Sequence, residues 1–520
     1  MDVVWAALDD YGVGDLSDPD AAAIHDRGRD DPVIHTPSVD WFALSPELVL
    51  MTAAALAMLI AVLVPRWAEK PLAAVVCALG FAGALIAAGV LFAHSADGHG
   101  VVADAIQRDR LAALAQMIVA GAGLLSVGIC YAGRGSWRHS GEFFALLASA
   151  GAGMIFLVSA SNLLTLFLGL EWFSISLYIL AAFDVDVVGS LEAGLKYLIV
   201  GSFGSAVLLF GSALVYGTTG HLDFAGIASA GQTSDPLFIA GLAMIIAGLG
   251  FKSSAAPFHM WTPDVYEGSP TGVTAFMSAA TKTAALVLTL RVLTTAFPER
   301  HQLWTVAIAV LACASLAVGN LAALVQRRVK RMLAYSSVSH AGFMLIAIAA
   351  GNALGGRALL YYLIAYSAMS VGAFAVVAAR ERELGKEVTL DNLAGFGWER
   401  PFLGVAMWVF MLGFAGLPLT GGFVGKFYAF SAAYDRGWIW LVIVGVVATA
   451  VSLYYYFAVI RAMYMRPAAE LQLAPSGGSP PPERLLQASV AVALAVTVGS
   501  FFAVQPLIDL ARDAVSSLTF

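Results

Sequence analysis

Apolar stretches of about twenty residues, divided by short polar punctuation, recur between positions 45 and 511. A stretch of that length crosses a bilayer as a helix, because a helix satisfies its own backbone hydrogen bonds. The pattern predicts fourteen spans, at 45–64, 71–93, 110–132, 142–160, 162–183, 191–216, 237–260, 271–296, 303–325, 333–350, 358–379, 402–431, 437–465 and 486–511. The thinnest division separates the fourth from the fifth, at Ser159-Ala160-Ser161-Asn162. The expected fold is an all-α polytopic membrane protein.

Composition agrees. Hydrophobic residues make up 60% of the 520 and charged residues 12%, about half the roughly 25% of a soluble domain. That excludes a soluble enzyme, a nucleic-acid binder and a disordered scaffold, and a net charge of -7 leaves no basic footprint for nucleic acid. Residues 1–44 carry ten aspartates against Arg27 and Arg29, so the remainder of the chain has a net charge of only +1. This acidic arm lacks the basic start and apolar core of a secretory signal. It reads as a solvated extension that docks on a partner. Pro475 to Pro482 (PSGGSPPP) reads as a flexible linker within 466–485. Cys77, Cys130 and Cys313 lie in apolar runs without ligand spacing, so they read as packing residues, and no metal or iron–sulfur site is expected in this chain.

Loop charges orient the array. With the N-terminus outside, inner loops hold fifteen Lys and Arg and outer segments eight, the strongest cluster being Gln326-Arg-Arg-Val-Lys-Arg331. Both termini are therefore expected on the outer face. Four lysines fall inside predicted spans: Lys196, Lys252, Lys282 and Lys426. Glu171 does too, in Leu168-Gly-Leu-Glu-Trp172. A charge at a helix centre costs roughly 2.5–3.5 kcal/mol on insertion scales, so such residues mark function by default. The competing reading is a side chain that snorkels from a helix end, which suits Lys196 best. A lysine whose proton affinity responds to burial and to a nearby carboxylate can bind and release a proton, whereas arginine stays charged.

Two spans carry breaks. Gly250-Phe-Lys-Ser-Ser-Ala-Ala-Pro-Phe-His-Met-Trp-Thr-Pro-Asp264 contains Pro257, and Gly413-Phe-Ala-Gly-Leu-Pro-Leu-Thr-Gly-Gly-Phe-Val-Gly-Lys426 contains Pro418. Each break lies near a lysine. Unwound backbone at membrane depth survives only where protein or a water cavity covers it, and paired breaks point to a transporter built from repeats. Two simple proline kinks are the alternative. His259 and His340 are secondary proton-carrying candidates, weighed against hydrogen-bonded structural histidines. Asp264 and Glu267 read as loop-organising contacts. Gly421-Gly-Phe-Val-Gly-Lys-Phe427 fails as a phosphate loop because Phe427 replaces the Ser/Thr that would hold magnesium. No cofactor is expected to bind here.

The run Phe251 to Pro270 (FKSSAAPFHMWTPDVYEGSP) resembles the signature of the antiporter-like subunits of respiratory complex I. So do Leu170-Glu171-Trp172, the Lys282 span, the stretch 330–340 and Gly416-Leu-Pro-Leu-Thr-Gly-Gly-Phe-Val-Gly-Lys426. The resemblance covers roughly 45–511. Of the three paralogous branches the N branch fits best, since the twelfth span carries Lys426 and the chain has no room for a lateral helix. The resemblance implies fourteen helices with two inverted five-helix repeats and two broken helices. After the arm come helices 1–3 over 45–133, one repeat over 142–296 and the other over 303–465. The linker 466–485 and helix 14 over 486–511 complete the chain.

It also implies roles: Glu171 pairs with Lys252, Lys196 modulates that pair, Lys282 is the central relay and Lys426 the exit-side site. FMN, iron–sulfur clusters and quinone would belong to partner subunits. The neighbours implied are a paralogous antiporter-like subunit and small helical subunits, in a bacterial inner (plasma) membrane. Three rivals share these features: a multi-subunit cation/proton antiporter, a structural membrane subunit and the membrane arm of a hydrogenase-type complex.

Overall fold

A computed structural model describes residues 39–95, 98–102, 104–133, 139–231, 235–465, 484–518 and 520. Most of the acidic arm, the linker over 466–483 and Arg134, Arg138 and Arg466, which the charge count assigns to inner loops, lie outside the described residues. Twelve described helices are long and apolar enough to cross a membrane. In chain order they are α1 (Ser45–Leu63), α2 (Arg66–His94), α3 (Arg110–Ala132), α4 (Ser140–Val158), α5 (Leu163–Ala181), α6 (Val188–Thr219), α8 (Thr271–Thr295), α9 (Pro298–Leu324), α10 (Val329–Ala349), α11 (Ala353–Leu384), α13 (Ile439–Met465) and α14 (Arg484–Phe502). The seventh and twelfth spans are split. The seventh is α7a (Pro236–Lys252) and α7b (Trp261–Gly268); the twelfth is α12a (Pro401–Ala415) and α12b (Gly421–Asp435).

Burial sorts these helices. Every residue in the most apolar window of α8 is buried, and α10 and α11 are nearly as enclosed, whereas α1, α2 and α14 bury about a third of theirs. The enclosed trio is also where polar residues concentrate. Its buried side chains include Thr274, Ser278, Lys282, Ser336, Ser337, Ser339, His340, Ser367 and Ser370. The lipid-facing helices instead expose Leu, Val, Phe and Trp, the inverse of a soluble bundle and the arrangement a hydrocarbon solvent favours.

The short division between α4 and α5 exists because Asn162 caps α5, its side chain accepting from the Thr165 amide at 2.6 Å. The second break has a comparable local cause. Gly416 ends α12a in the left-handed region at φ +77, and Leu419 adopts φ +71 before α12b resumes. At the first break α7a stops at Lys252, five residues before Pro257, with Ser254 at φ +62.

Three features depart from the sequence pattern. A two-stranded ribbon, β1 (His99–Val101) against β2 (Ile106–Arg108), joins α2 to α3. The last predicted span, 486–511, ends at Phe502, and a separate amphipathic helix α15 (Val504–Val515) follows, with Pro506 in its first turn. It packs on α11 and α3 through buried Ile508, Ala511, Ala514 and Val515. Finally, Arg291 near the end of α8 is buried and makes a bidentate pair with Asp109, at 2.7 and 2.8 Å. Asp109 also caps α3 through the Ala112 amide at 2.8 Å. Removing one partner of a buried pair strands the other charge and costs about 3–5 kcal/mol. Arg291→Met is therefore expected to lower the melting temperature of the solubilised assembly. Adding Asp109→Asn, which keeps the cap and removes the orphaned charge, should recover most of that loss.

Candidate functional site

Three lysines are enclosed in the bundle, with exposures of 3% for Lys252, 1% for Lys282 and 3% for Lys426. Each is held by oxygen atoms that carry no formal charge. Among the described residues, none has a carboxylate within ion-pair distance.

Lys252 is the last residue of α7a, where the exposed carbonyls of a helix end favour a cation. Its Nζ donates to Ser174 Oγ at 2.6 Å, and Ser174 in turn donates to the Leu170 carbonyl. The rings of Phe173, Tyr178, Tyr197 and Phe251 surround the ammonium at 5.0–5.8 Å. Glu171 lies one turn before Ser174 on α5, yet it makes no ion pair with Lys252, and its Oε1 is buried without a hydrogen-bond partner. The lysine engages the serine instead of the glutamate.

Lys282 follows directly on a π-helical turn, Met277–Thr281, within α8. Such turns are rare and recur at functional sites. The wider turn brings Lys282 Nζ to the Ser337 carbonyl of α10 at 2.5 Å, with the Tyr366 ring 5.7 Å away. Tyr366 donates to Ser337 Oγ at 2.9 Å, and Ser370 donates to Ser278, inside the π turn, at 2.7 Å.

Lys426 sits on α12b and reaches back across the break to the last carbonyls of α12a, Phe414 at 2.9 Å and Ala415 at 3.3 Å. Its ammonium lies 4.3 Å from the Phe343 ring centroid. Gly416 is required twice over. Its φ is left-handed, and a Cβ there would sit 2.8 Å from Lys426 Cδ.

His340 occupies the turn of α10 between Ser337, which holds Lys282, and Phe343, which covers Lys426. It is 1% exposed. Its Nδ1 meets Tyr362 Oη at 2.8 Å and its Nε2 meets Tyr456 Oη at 3.0 Å, and the Phe414 ring is 5.1 Å away. Three successive turns of α10 thus line up the two lysines and a histidine.

Lys196 and His259 stand apart from this group. Lys196 is 42% exposed at its side chain and pairs with Glu192 at 2.6 Å and Asp264 at 2.8 Å. Asp264 and Glu267 both bind Arg331, at 2.6 and 2.8 Å, and Glu267 binds Arg328 at 2.7 Å. This network ties α7b to α6 and α10. His259 is half-buried in the first break, next to exposed Pro257 and Met260, and its Nδ1 has no partner. Lys330, counted in an inner loop on sequence, is buried at the start of α10. It donates to the Ser269 carbonyl at 2.8 Å and lies 3.8 Å from Glu381.

Residues 160–452 match a family model described as "NADH:quinone oxidoreductase/Mrp antiporter, TM". The chain is 42% identical over 433 residues to NADH-quinone oxidoreductase subunit N of Trichlorobacter lovleyi, covering 82% of this chain and 88% of that one. It is 38% identical over 498 residues to subunit N 2 of Roseiflexus castenholzii, covering 92% and 97%. The chain belongs to the NADH-quinone oxidoreductase subunit N family. A chain of respiratory complex I from Thermus thermophilus superimposes with a TM-score of 0.75 at 34% identity, over 90% of this chain and 99% of that one. A chain of the Mrp complex from a Dietzia species superimposes at 0.80 with 22% identity, over 92% and 97%, and shares the fold.

Within this subunit N fold, sequence reasoning missed Arg291, Lys330 and the π turn. An arginine within an apolar run, nine residues beyond Lys282, was the available signal for the first. The Gly416 contact gives a test. Gly416→Ala forces a non-glycine residue into left-handed backbone, at roughly 1–2 kcal/mol, and displaces Lys426. Gly437→Ala is the control, since Gly437 has φ +83 and open space around it. Both variants should lose similar thermal stability, and only Gly416→Ala should also lose proton pumping in proteoliposomes.

Proposed function

We propose that this chain moves protons across the membrane along the line Lys252, Lys282, His340 and Lys426, as a membrane-arm subunit of NADH-quinone oxidoreductase. The observation that carries this reading is the set of neutral acceptors that hold the three lysines. A serine hydroxyl or a carbonyl accepts a hydrogen bond from an ammonium and from a neutral amine alike. Each lysine can therefore lose and regain a proton without leaving its site, which a carboxylate partner at contact distance would resist.

Between these sites the path has polar links. Thr262 has a buried hydroxyl without a hydrogen-bond partner, and the hydroxyls of Tyr178, Tyr266 and Ser339 lie near Ser174, Ser337 and Tyr455 without a well-formed hydrogen bond. A hydroxyl free of protein partners is available to mobile water. Glu171, one turn from Ser174, is the group that modulates Lys252: rotation of the lysine from Ser174 towards Glu171 raises its hold on the proton, and the return releases it. A hundredfold change in proton affinity corresponds to about 2.7 kcal/mol, close to the roughly 2.3 kcal/mol needed to export one charge against 100 mV. Lys196, within the network around Asp264, acts on α7b instead of carrying the proton.

The driving energy is supplied by redox chemistry in other complex I subunits, with FMN, iron–sulfur clusters and quinone held there and none in this chain. We infer a paralogous antiporter-like subunit and small helical subunits as its neighbours, a bacterial plasma membrane as its location, both termini on the outer face, and helices 4–8 and 9–13 as its inverted repeats. Cation/proton antiport is the second reading, favoured by the breadth of the matching family model. It predicts sodium or potassium exchange for protons in liposomes without a redox donor.

Lys252→Ala, Lys282→Ala and Lys426→Ala should each leave assembly intact and lower the proton-to-electron ratio of NADH oxidation in proteoliposomes. Lys282→Arg should not rescue it, because arginine keeps its proton. Lys196→Ala should have a smaller effect. Unchanged ratios in all three alanine variants would support a purely structural subunit.

A further inference from the structure

A second buried proton-binding candidate lies away from the lysines. Glu47, in the first turn of α1, is 4% exposed, and among the described residues no cation lies within ion-pair distance of it. Gln116 of α3 is 2% exposed. Its Nε2 donates to Glu47 Oε1 at 3.1 Å and to Ser159 Oγ, at the end of α4, at 3.0 Å. Both amide hydrogens are thereby used. Glu47 Oε2 and Gln116 Oε1 are left buried with no hydrogen-bond partner.

An ionised carboxylate and an amide oxygen are both acceptors and cannot satisfy each other. A proton on Glu47 Oε2 turns one of these two unpartnered acceptors into a donor. Turning the carboxamide over sets its oxygen against Glu47 Oε1, which again calls for a proton on the acid. Several charged residues that the structure describes near this site have partners of their own. Asp109 holds Arg291; Asp40 holds Arg108 at 2.8 Å and lies 3.6 Å from His99; Arg110 lies 3.8 Å from Asp513; and His94 Nδ1 meets the Val90 carbonyl at 2.8 Å. The N-terminus of α1 favours an anion only weakly.

We propose that Glu47 is held as a neutral carboxylic acid on Gln116 and serves as a further proton-exchanging group of this subunit. Gln116, which holds the acid, and Ser159, its other acceptor, line a cavity of about 10 Å³ together with Arg108 and Asp109, which has room for about one water; Glu47 reaches this space only through Gln116. In the transfer step the Oε2–H bond breaks and the proton passes to a water admitted beside Gln116 when the amide swings aside. The carboxylate left behind keeps the Gln116 amide, and reprotonation restores the acid. The site is joined to the lysine line through α8. Arg291, nine residues or about 13.5 Å beyond Lys282 along the helix, anchors Asp109, and Gln116 lies two turns further into α3.

The inference deepens the proton-carrier reading and rests on it, so two measurements on the assembled complex separate their fates. Infrared difference spectra of wild type against Glu47→Gln at neutral pH should show a carboxylic-acid carbonyl band that the variant lacks. The absence of such a band means an ionised Glu47 and overturns the proposal. In proteoliposomes Glu47→Gln should retain NADH oxidation and its melting temperature, and should lower the proton-to-electron ratio to the level of Lys282→Ala. A normal ratio in Glu47→Gln alongside a lowered ratio in Lys282→Ala overturns the exchange role while the lysine relay stands. Normal ratios in both overturn the two together. If Glu47→Gln assembles poorly, Gln116→Leu, which removes the amide and keeps the acid, should shift the same infrared band; an unshifted band would dissociate Glu47 from Gln116 and overturn the pairing.

Discussion

Backbone and side-chain polar groups inside a bilayer have to find their partners within the protein, and that constraint organises this molecule. An unbroken helix meets it automatically; a broken one does not. Each interruption frees carbonyls that another group has to engage. At the first break the Trp261 indole donates to the Phe251 carbonyl at 3.1 Å, and Ser315 of α9 accepts from the Ala256 amide at 2.8 Å. At the second, Lys426 itself fills the role by donating to Phe414 and Ala415. Structural satisfaction of the break and retention of a titratable amine are there the same interaction.

The two breaks are alike in sequence and different in wiring. Lys252 ends its own half-helix and turns outward to Ser174 on α5, whereas Lys426 follows its break and folds back onto it. The first is therefore connected to a neighbouring helix that also carries Glu171, and its partner can change with a side-chain rotation. The second is tied to backbone, whose carbonyls move only if α12a and α12b move relative to each other. Modulation by an adjacent acid suits the first site. A change in the geometry of the break suits the second. From Lys282 to Lys426, α10 supplies three turns of continuous contact through Ser337, His340 and Phe343.

Much of this was legible in the sequence, for a reason specific to membranes: charge and apolar length contrast so strongly that fourteen spans and four unusual lysines can be read directly. Proline and glycine likewise marked both interruptions. What could not be read was which atoms the lysines meet. Ser174 and the carbonyls of Ser337 and Phe414 carry no pattern, since every residue has a carbonyl and serine is common in such helices. The π turn before Lys282 is equally silent, because Met277-Ser-Ala-Ala-Thr281 is ordinary helical composition. Lys330 was misplaced because it belongs to one basic cluster with Arg327, Arg328 and Arg331, and only tertiary packing singles it out for burial against Ser269 and Glu381. The resemblance implied a Glu171–Lys252 pair, and the structure has Lys252 on Ser174 instead.

That last difference bears on mechanism. A lysine locked to a glutamate at contact distance would be a stable buried ion pair, and breaking such a pair costs several kcal/mol, more than the roughly 2.3 kcal/mol per charge that a 100 mV gradient represents. A lysine resting on a serine, with a glutamate one turn along the same helix, has a second acceptor on α5 and is not stranded when it leaves the first. In the proposed cycle the turn of Lys252 from Ser174 to Glu171 exchanges one hydrogen-bond acceptor for another. On the proposed relay, the neutral partner leaves the site responsive to a drive of a few kcal/mol, and Lys282 and Lys426 are likewise held by carbonyls that accept from amine and ammonium alike.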